Sequence, residues 1–428
     1  MNLRIVAAEV TRTQFRASLA HLLLVWSLCR ALCVHASDWP QFLGPSRNGV
    51  YPASDLAASW PKEGPPLVWK RSVGQGFAGP VVSGGKLILF HRLESNEVVE
   101  CLNAKTGKSI WTNGYPTAYR DDFGFDEGPR ATPAVSENRV YTFGAEGMLS
   151  CFDLATGAKV WAVNTRREYH APKGFFGPVC SPLVEGNAIL MIIGGRSGLG
   201  IAAFDKATGK VLWKGTDDEA GYASPIATTI QGRRTALFLT RSDLVAADPT
   251  TGNLFFRFPF EPPIHSSVTA ATPVVIEDMV FLSACYDAGA VLLKVDADMK
   301  GVKKLWDGQD ILSNHYATSV YHDGFLFGLH GRTDPGLETP TLRCVDVKTG
   351  TVRWKKDFMA ATIIKVGDDL LILSERGELI RAPASPDGFN PRARAQILST
   401  QVRAGPALAD GRLYARSKDT LVCVNLGN

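Results

Sequence analysis

The sequence predicts an all-β fold: an eight-bladed β-propeller of four-stranded blades, its ring closed by an N-terminal strand that joins the C-terminal blade. Three observations carry this expectation. A nine-residue word recurs four times, as NAKTGKSIW (Asn103–Trp111), DLATGAKVW (Asp153–Trp161), DKATGKVLW (Asp205–Trp213) and DVKTGTVRW (Asp346–Trp354). The aromatic position that ends the word returns at Trp69, Trp111, Trp161, Trp213, Phe256, Trp306 and Trp354, at intervals of 42 to 52 residues. A second word, a small residue and usually a proline ahead of an apolar run, opens eight segments. Short strands repeating every ~40–50 residues are the mark of propeller blades.

Within the nine-residue word each place has a task. The Asp or Asn side chain accepts from backbone N–H groups two residues on and so starts a turn. The glycine supplies the positive φ that a tight turn with a bulge needs. Flanks such as VVECL and KVLW are apolar and β-branched, so the word reads as strand, turn, strand. Two copies are degenerate: DPTTGNLFF carries Phe256 in the aromatic place, and DADMKGVKKLW reaches Trp306 through a longer turn without Thr-Gly. Six of the nine Trp fall on this one position, so Trp111, Trp161, Trp213 and Trp354 are expected to be buried between neighbouring blades.

The opening word supplies each inner strand. It is clearest in GPVVSGGKLILF from Gly79, ATPAVSENRVYTF from Ala131, CSPLVEGNAILMI from Cys180, ATPVVIEDMVFLS from Ala271 and GPALADGRLYAR from Gly405. ASPIATTIQGRRTALFL, ATSVYHDGFLFGL and ATIIKVGDDLLIL are looser copies. Proline is tolerated there because the first residue of a strand need not donate to the ladder. The last unit runs out at Asn428 with three strands, and LVWK, around Trp69, is an orphan strand at the other end. Sharing one blade between them closes the ring and removes open edges.

Residues 1–36 stand apart. Arg4, Arg12 and Arg16 make a positive leader, LLLVWSLCRALCV a short apolar stretch, and VHA ahead of Ser37 a cleavage site of small residues: an export signal. The stretch is too short and, with Arg30, too polar to span a bilayer; a retained anchor, or a lipid on Cys33, are the alternatives. Removal of this segment takes away four Arg and one Glu, so the net charge falls from +4 to +1. With no basic run, nothing points to nucleic acid. Residues 37–66, with Trp39, Phe42, Trp60 and several prolines, are expected to form no regular strand or helix and to lie as a strap over the outside or one face of the ring. The propeller proper is then 67–428.

Six cysteines remain after the signal. Cys101, Cys151, Cys344 and Cys423 each stand two residues before a turn Asp or Asn, where other blades carry Ala203 and Ala246, so the slot wants a small apolar side chain. Corresponding points on adjacent blades lie too far apart for a disulfide. No cysteine spacing suits haem or zinc.

The [DN]-x-x-T-G-x-x-x-W turns, the [ST]-P-V-V inner strands and the eightfold count resemble the PQQ-like repeat propellers. That resemblance implies either a non-enzymatic member like the outer-membrane assembly factor BamB, or a quinoprotein dehydrogenase holding pyrroloquinoline quinone (PQQ) and calcium in the channel. The dehydrogenases of this group have a vicinal Cys-Cys pair, an acidic calcium cage, a catalytic Asp and long inserts. The sequence has no adjacent cysteines, no acidic cluster in the [ST]-P strands, and intervals near the minimum for four strands. The expectation is therefore a secreted or periplasmic, non-enzymatic binding scaffold, monomeric, without cofactor and with envelope or secreted proteins as partners. A PQQ-dependent alcohol or sugar dehydrogenase and a small-ligand sensor are the alternatives. In either binding case the site falls where the loops into the inner strands converge. These carry Arg130, Phe175, Phe176, Tyr222, His265, Asn314, His315, Tyr316 and Arg403, the Arg-and-aromatic mixture of binding hot spots. His265 and His315 do not sit at matching offsets, so no symmetric metal ring is indicated.

Overall fold

The computed structural model describes residues 38–264, 267–332, 337–399 and 401–427; the expected export signal and His265 lie outside them. Eight sheets follow one another along the chain, each with four antiparallel strands, which in blades 1 to 7 run in sequence order from the inner edge outward. Blade 1 is Val81–Ser83, Lys86–Leu93, Asn96–Asn103 and Ser109–Pro116. Blades 2 to 8 open with the inner strands Ala134–Ser136, Leu183–Glu185, Ile226–Ile230, Val274–Ile276, Val320–His322, Ala361–Val366 and Ala407–Ala409. The architecture is that of an eight-bladed propeller. It is closed as the sequence predicts: Leu67–Ser72 pairs antiparallel with Thr420–Asn425 as the outer strand of blade 8, with Trp69 opposite Cys423.

The repeated word ties each blade to the next at the outer rim. Asp153 Oδ1 accepts from the N–H groups of Ala155 and Thr156 and from the Thr156 hydroxyl; Asp205 does the same for its turn, and Asp248 accepts from the N–H groups of Thr250 and Thr251. The turn so formed receives the Trp of the preceding blade. Trp111 Nε1 donates to Leu154 O at 3.0 Å, Trp161 to Lys206 O at 3.1 Å and Trp213 to Pro249 O at 3.0 Å. Trp69, Trp306 and Trp354 repeat the bond onto Ala104, Val347 and Ser385. The turn glycine is there because the indole lies on it: a Cβ at Gly157 would stand 2.5 Å from the Trp111 ring.

One residue before each of these aromatics the ladder shifts by a bulge, as between Lys159 and Trp161. This turns the indole inward and leaves Ile110, Val160 and Leu212 exposed. Across the sheet the partner of the Trp is the small slot: Cys101, Cys151, Ala203, Cys344 or Cys423. The six described cysteines are free and buried. Burial of the Trp is uneven, however. Trp111 and Trp213 are 9% and 8% exposed, whereas Trp161 and Trp354 are only half-buried, because an outermost strand keeps one edge toward water.

A second set of ties lies at the inner rim, and it explains the hydroxyl of the [ST]-P word. Gly79 N–H donates to Thr132 Oγ1, Thr132 N–H to Ser181 Oγ, Ser181 N–H to Ser224 Oγ, Ser224 N–H to Thr272 Oγ1, and Thr272 N–H to Thr318 Oγ1. Five buried bonds thus run hand to hand from blade 1 to blade 6.

The leader departs from its expected course. It makes a short regular strand, Val50–Tyr51, parallel to Lys365–Val366 on the inner edge of blade 7. It also runs along the channel edges of the inner strands rather than outside the ring. Trp39 bridges Val82 in blade 1, Pro40 O accepts from Val135 N in blade 2, and the Arg47 guanidinium donates to Ser181 O and Pro182 O at blade 3. The chain then returns along blade 7 and leaves over blade 8, where Ala57 N bonds Leu426 O. The innermost strands present unpaired backbone groups and Trp39 and Tyr51 present apolar rings, which join the core of blades 7, 8 and 1. Arg47 is 4% exposed, and burial lowers its pKa to about 10.

Candidate mouth cavity

The loops that enter the inner strands surround a cavity of about 310 Å3 at one mouth of the ring. Of the nine residues expected there, Arg130, Phe176, Tyr222, His315, Tyr316 and Arg403 line it. Phe175 stands behind, its N–H donating to the Tyr222 hydroxyl at 2.8 Å. Asn314 does not reach the cavity. Its side chain is 1% exposed and is used internally, donating to Leu329 O and accepting from the Ser319 hydroxyl. Short intervals between strands had implied too few residues to wall a site. The connections at 117–133 and 165–182 are long enough, with Phe77 and Phe125 adding to the wall.

The wall is built outward from one carboxylate. Asp121 accepts from the N–H groups of Phe123, Phe125 and Asp126 and so folds the 121–126 loop around itself. Burial alone would raise its pKa, but those N–H groups and the Arg130 guanidinium outweigh it and hold the carboxyl below its usual range. Arg130 is committed to this role. It bonds Asp121 Oδ2 at 2.8 Å, Asp126 O at 3.1 Å and Phe176 O at 3.0 Å, with its guanidinium over the Phe176 ring at 5.4 Å. Phe123, Phe125, Phe175 and Phe176 form an aromatic lip with centroids 5.3 to 6.2 Å apart.

Arg403 is differently placed. Its Nε donates to Glu375 at 2.7 Å, and its guanidinium lies 5.6 and 5.2 Å from the Phe77 and Phe125 rings. Its two terminal nitrogens bond none of the described residues. Beside it the Tyr316 hydroxyl is buried without a hydrogen-bond partner among the described residues. Burial, with the Glu375 charge nearby, pushes that phenol well up, and Arg403 opposes the shift. The His315 ring lies tilted against Tyr316, centroids 5.5 Å apart, and meets the Tyr286 hydroxyl at 3.1 Å.

The inward end of the cavity was not visible in the sequence. Phe42 of the leader lines it together with Thr132, Ser181 and Ser224 of the inner-rim ties. Among the described lining residues there are two arginines and no carboxylate. Among the described residues no three His, Cys, Asp or Glu converge as metal ligands, and no helix is long and apolar enough to cross a membrane.

Against known proteins, the family described as outer membrane protein assembly factor BamB matches residues 94–356. Among solved structures, BamB from Moraxella catarrhalis aligns with a TM-score of 0.60 at 16% identity, covering 84% of this chain and 97% of its own. Quinohemoprotein alcohol dehydrogenase from Comamonas testosteroni aligns at 0.65 and 16% identity, covering 92% of this chain and 81% of its own. A quinohemoprotein alcohol dehydrogenase from Pseudomonas putida aligns at 0.61 and 13%, covering 91% and 80%. At such identities these likenesses concern the fold. No curated protein matches in sequence.

Proposed function

The chain belongs to the family described as outer membrane protein assembly factor BamB, and from that premise we propose that it is a non-catalytic propeller, exported to the periplasm or beyond, which binds through the cavity at its mouth. One observation carries this reading: the cavity sets two arginines among aromatic rings, with no carboxylate among its described lining residues. Calcium takes six to eight oxygens, carboxylates prominent among them, and a dehydrogenase of the quinoprotein kind needs a base near the substrate carbon. Asp121 and Glu375 are paired with the lining residues Arg130 and Arg403. The residues present do not fit a calcium–quinone pair. They fit an anionic group held by Arg403, with apolar surface around it.

The test is titration of the purified protein with PQQ and calcium, followed by dye-linked assays on alcohols and sugars. The expected result is no substrate-dependent dye reduction, and alcohol-dependent turnover overturns the reading. Export is tested separately, by N-terminal sequencing of protein from the periplasmic or secreted fraction. It is expected to begin near Ser37.

A further inference from the structure

We propose that the mouth cavity receives the C-terminal end of an extended polypeptide, taking the free carboxylate on Arg403 and an apolar or aromatic last side chain among the rings of the wall. This rests on the binding reading above and names its ligand. The cavity at the mouth is compact, with Phe42 of the leader among its lining residues. The volume, about 310 Å3, is at the small end of the usual ~300–1,000 Å3 for ligand sites, room for one large side chain and its terminal group.

Arg130 and Arg403 are ion-paired with Asp121 and Glu375, so a carboxylate end is favoured over an amino end by the donor groups Arg403 keeps unused, not by net charge. Arg403 is suited to the carboxylate end. Glu375 holds the guanidinium by Nε at 2.7 Å, and the Phe77 and Phe125 rings lie within 5.6 Å. The two terminal nitrogens remain for the planar, paired bonds that guanidinium makes with carboxylate. Arg130, bonded on both terminal nitrogens, serves only to fix the wall.

Tyr316 lines the cavity beside Arg403, and its hydroxyl is buried and unpartnered among the described residues, an arrangement that costs free energy unless something completes it. A terminal carboxylate oxygen on Arg403 becomes that partner once the wall adjusts around it. Phe123 is 57% and Phe125 41% exposed, and Phe123 lies beyond the cavity lining. A small acid confined to the cavity leaves Phe123 in water, whereas a chain running outward from it covers that ring.

The experiment is fluorescence anisotropy with full-length mature protein and an N-terminally labelled octapeptide of Gly and Ser ending in Phe, as free acid and as C-terminal amide. The free acid is expected to saturate, with the amide at least ~10-fold weaker, the size of one charge-assisted bond. Arg403→Gln is expected to weaken the acid by a similar factor and leave the amide unchanged, so that the two peptides become alike. Tyr316→Phe, which keeps the ring, is expected to weaken the acid several-fold, and Phe123→Ala to weaken the peptide but not phenylacetate. Equal binding of acid and amide overturns the proposal, as does no binding of the acid. Phenylacetate that competes as tightly as the peptide also overturns it, while leaving the cavity a ligand site; dye-linked turnover would instead remove the non-catalytic reading beneath it.

Discussion

Substituting Gly157 by alanine tests what the repeated turn is for. Two effects add at this position. Its φ is +74°, and an L-residue held in that region costs ~1–2 kcal/mol. The new Cβ would also stand 2.5 Å from Trp111 Cδ2 and Cε3. The ring must then move although it is 9% exposed and tied by Nε1 to Leu154 O, and forcing extra volume into a packed site costs ~1–3 kcal/mol. Gly157→Ala should therefore lose about 2–5 kcal/mol. Gly186→Ala is the control: φ is +58° with nothing within 4 Å of the added carbon, so only the backbone cost of ~1–2 kcal/mol applies. Trp111→Ala should lose ~3–5 kcal/mol by itself. On that background Gly157→Ala should shrink to the size of the control, because there is no ring left to strike. Urea denaturation followed by far-ultraviolet circular dichroism measures all four proteins. Equal losses at Gly157 and Gly186, or strict additivity in the double variant, would refute the docking argument.

Three further outcomes follow from the same contacts. Deleting 421–428 removes most of the strand that Leu67–Ser72 pairs with, and should collapse the ring in one cooperative loss; a truncated protein with an unchanged melting temperature rules out the closure. Ser181→Ala takes the acceptor from the buried Thr132 N–H and should lose ~1–3 kcal/mol by the same urea assay, against almost nothing for an exposed serine. His91, 2% exposed, accepts Gly74 N–H on Nδ1, and burial, then Arg416 and Arg71, depress its pKa from 6.5 to about 3. The unfolded chain therefore binds a proton between these values that the folded chain refuses. Stability should fall as pH drops from 6.5 toward 3, and more shallowly in His91→Gln; parallel urea-midpoint profiles across that window would contradict this.

The ring was legible in the sequence because its ties are covalently periodic. The Asp, Gly and Trp of each word act within one turn and on the next blade, so the spacing alone implied blade number, strand order and closure. The hydroxyl of the [ST]-P word was visible as a pattern, but its task was not. Thr132 bonds Gly79 across 53 residues, and nothing local in ATP or CSP announces an acceptor for a neighbouring blade. At the mouth, convergence of the loops could be read from topology, which brought six of nine named residues onto the wall. Asn314 failed because its loop position says nothing of which way its amide turns, and Ser319 and Leu329 claim it. Phe42 was missed for the opposite reason: it belongs to no repeat, and a non-periodic leader reveals its place only through contacts.

That leader solves a problem the repeat creates. Each innermost strand faces the channel with one edge unpaired, and unpaired edges are a liability that short strands limit. Blades 1, 2, 3, 5, 6 and 8 keep theirs to three residues. Blade 4 has five, Ile226–Ile230, and blade 7 the most: Ala361–Val366 has six residues, and it is the strand on which Val50–Tyr51 lies in parallel, with Lys365 N bonded to Gly49 O at 2.8 Å. The longest edge and its cover occur together, while Trp39 and Pro40 take edge positions in blades 1 and 2. Covering these edges brings residues 39–51 along the inner strands, and Phe42 among them reaches the lining of the mouth cavity. The ring therefore supplies the rim, and a segment outside the repeat adds to the wall of the pocket at its mouth.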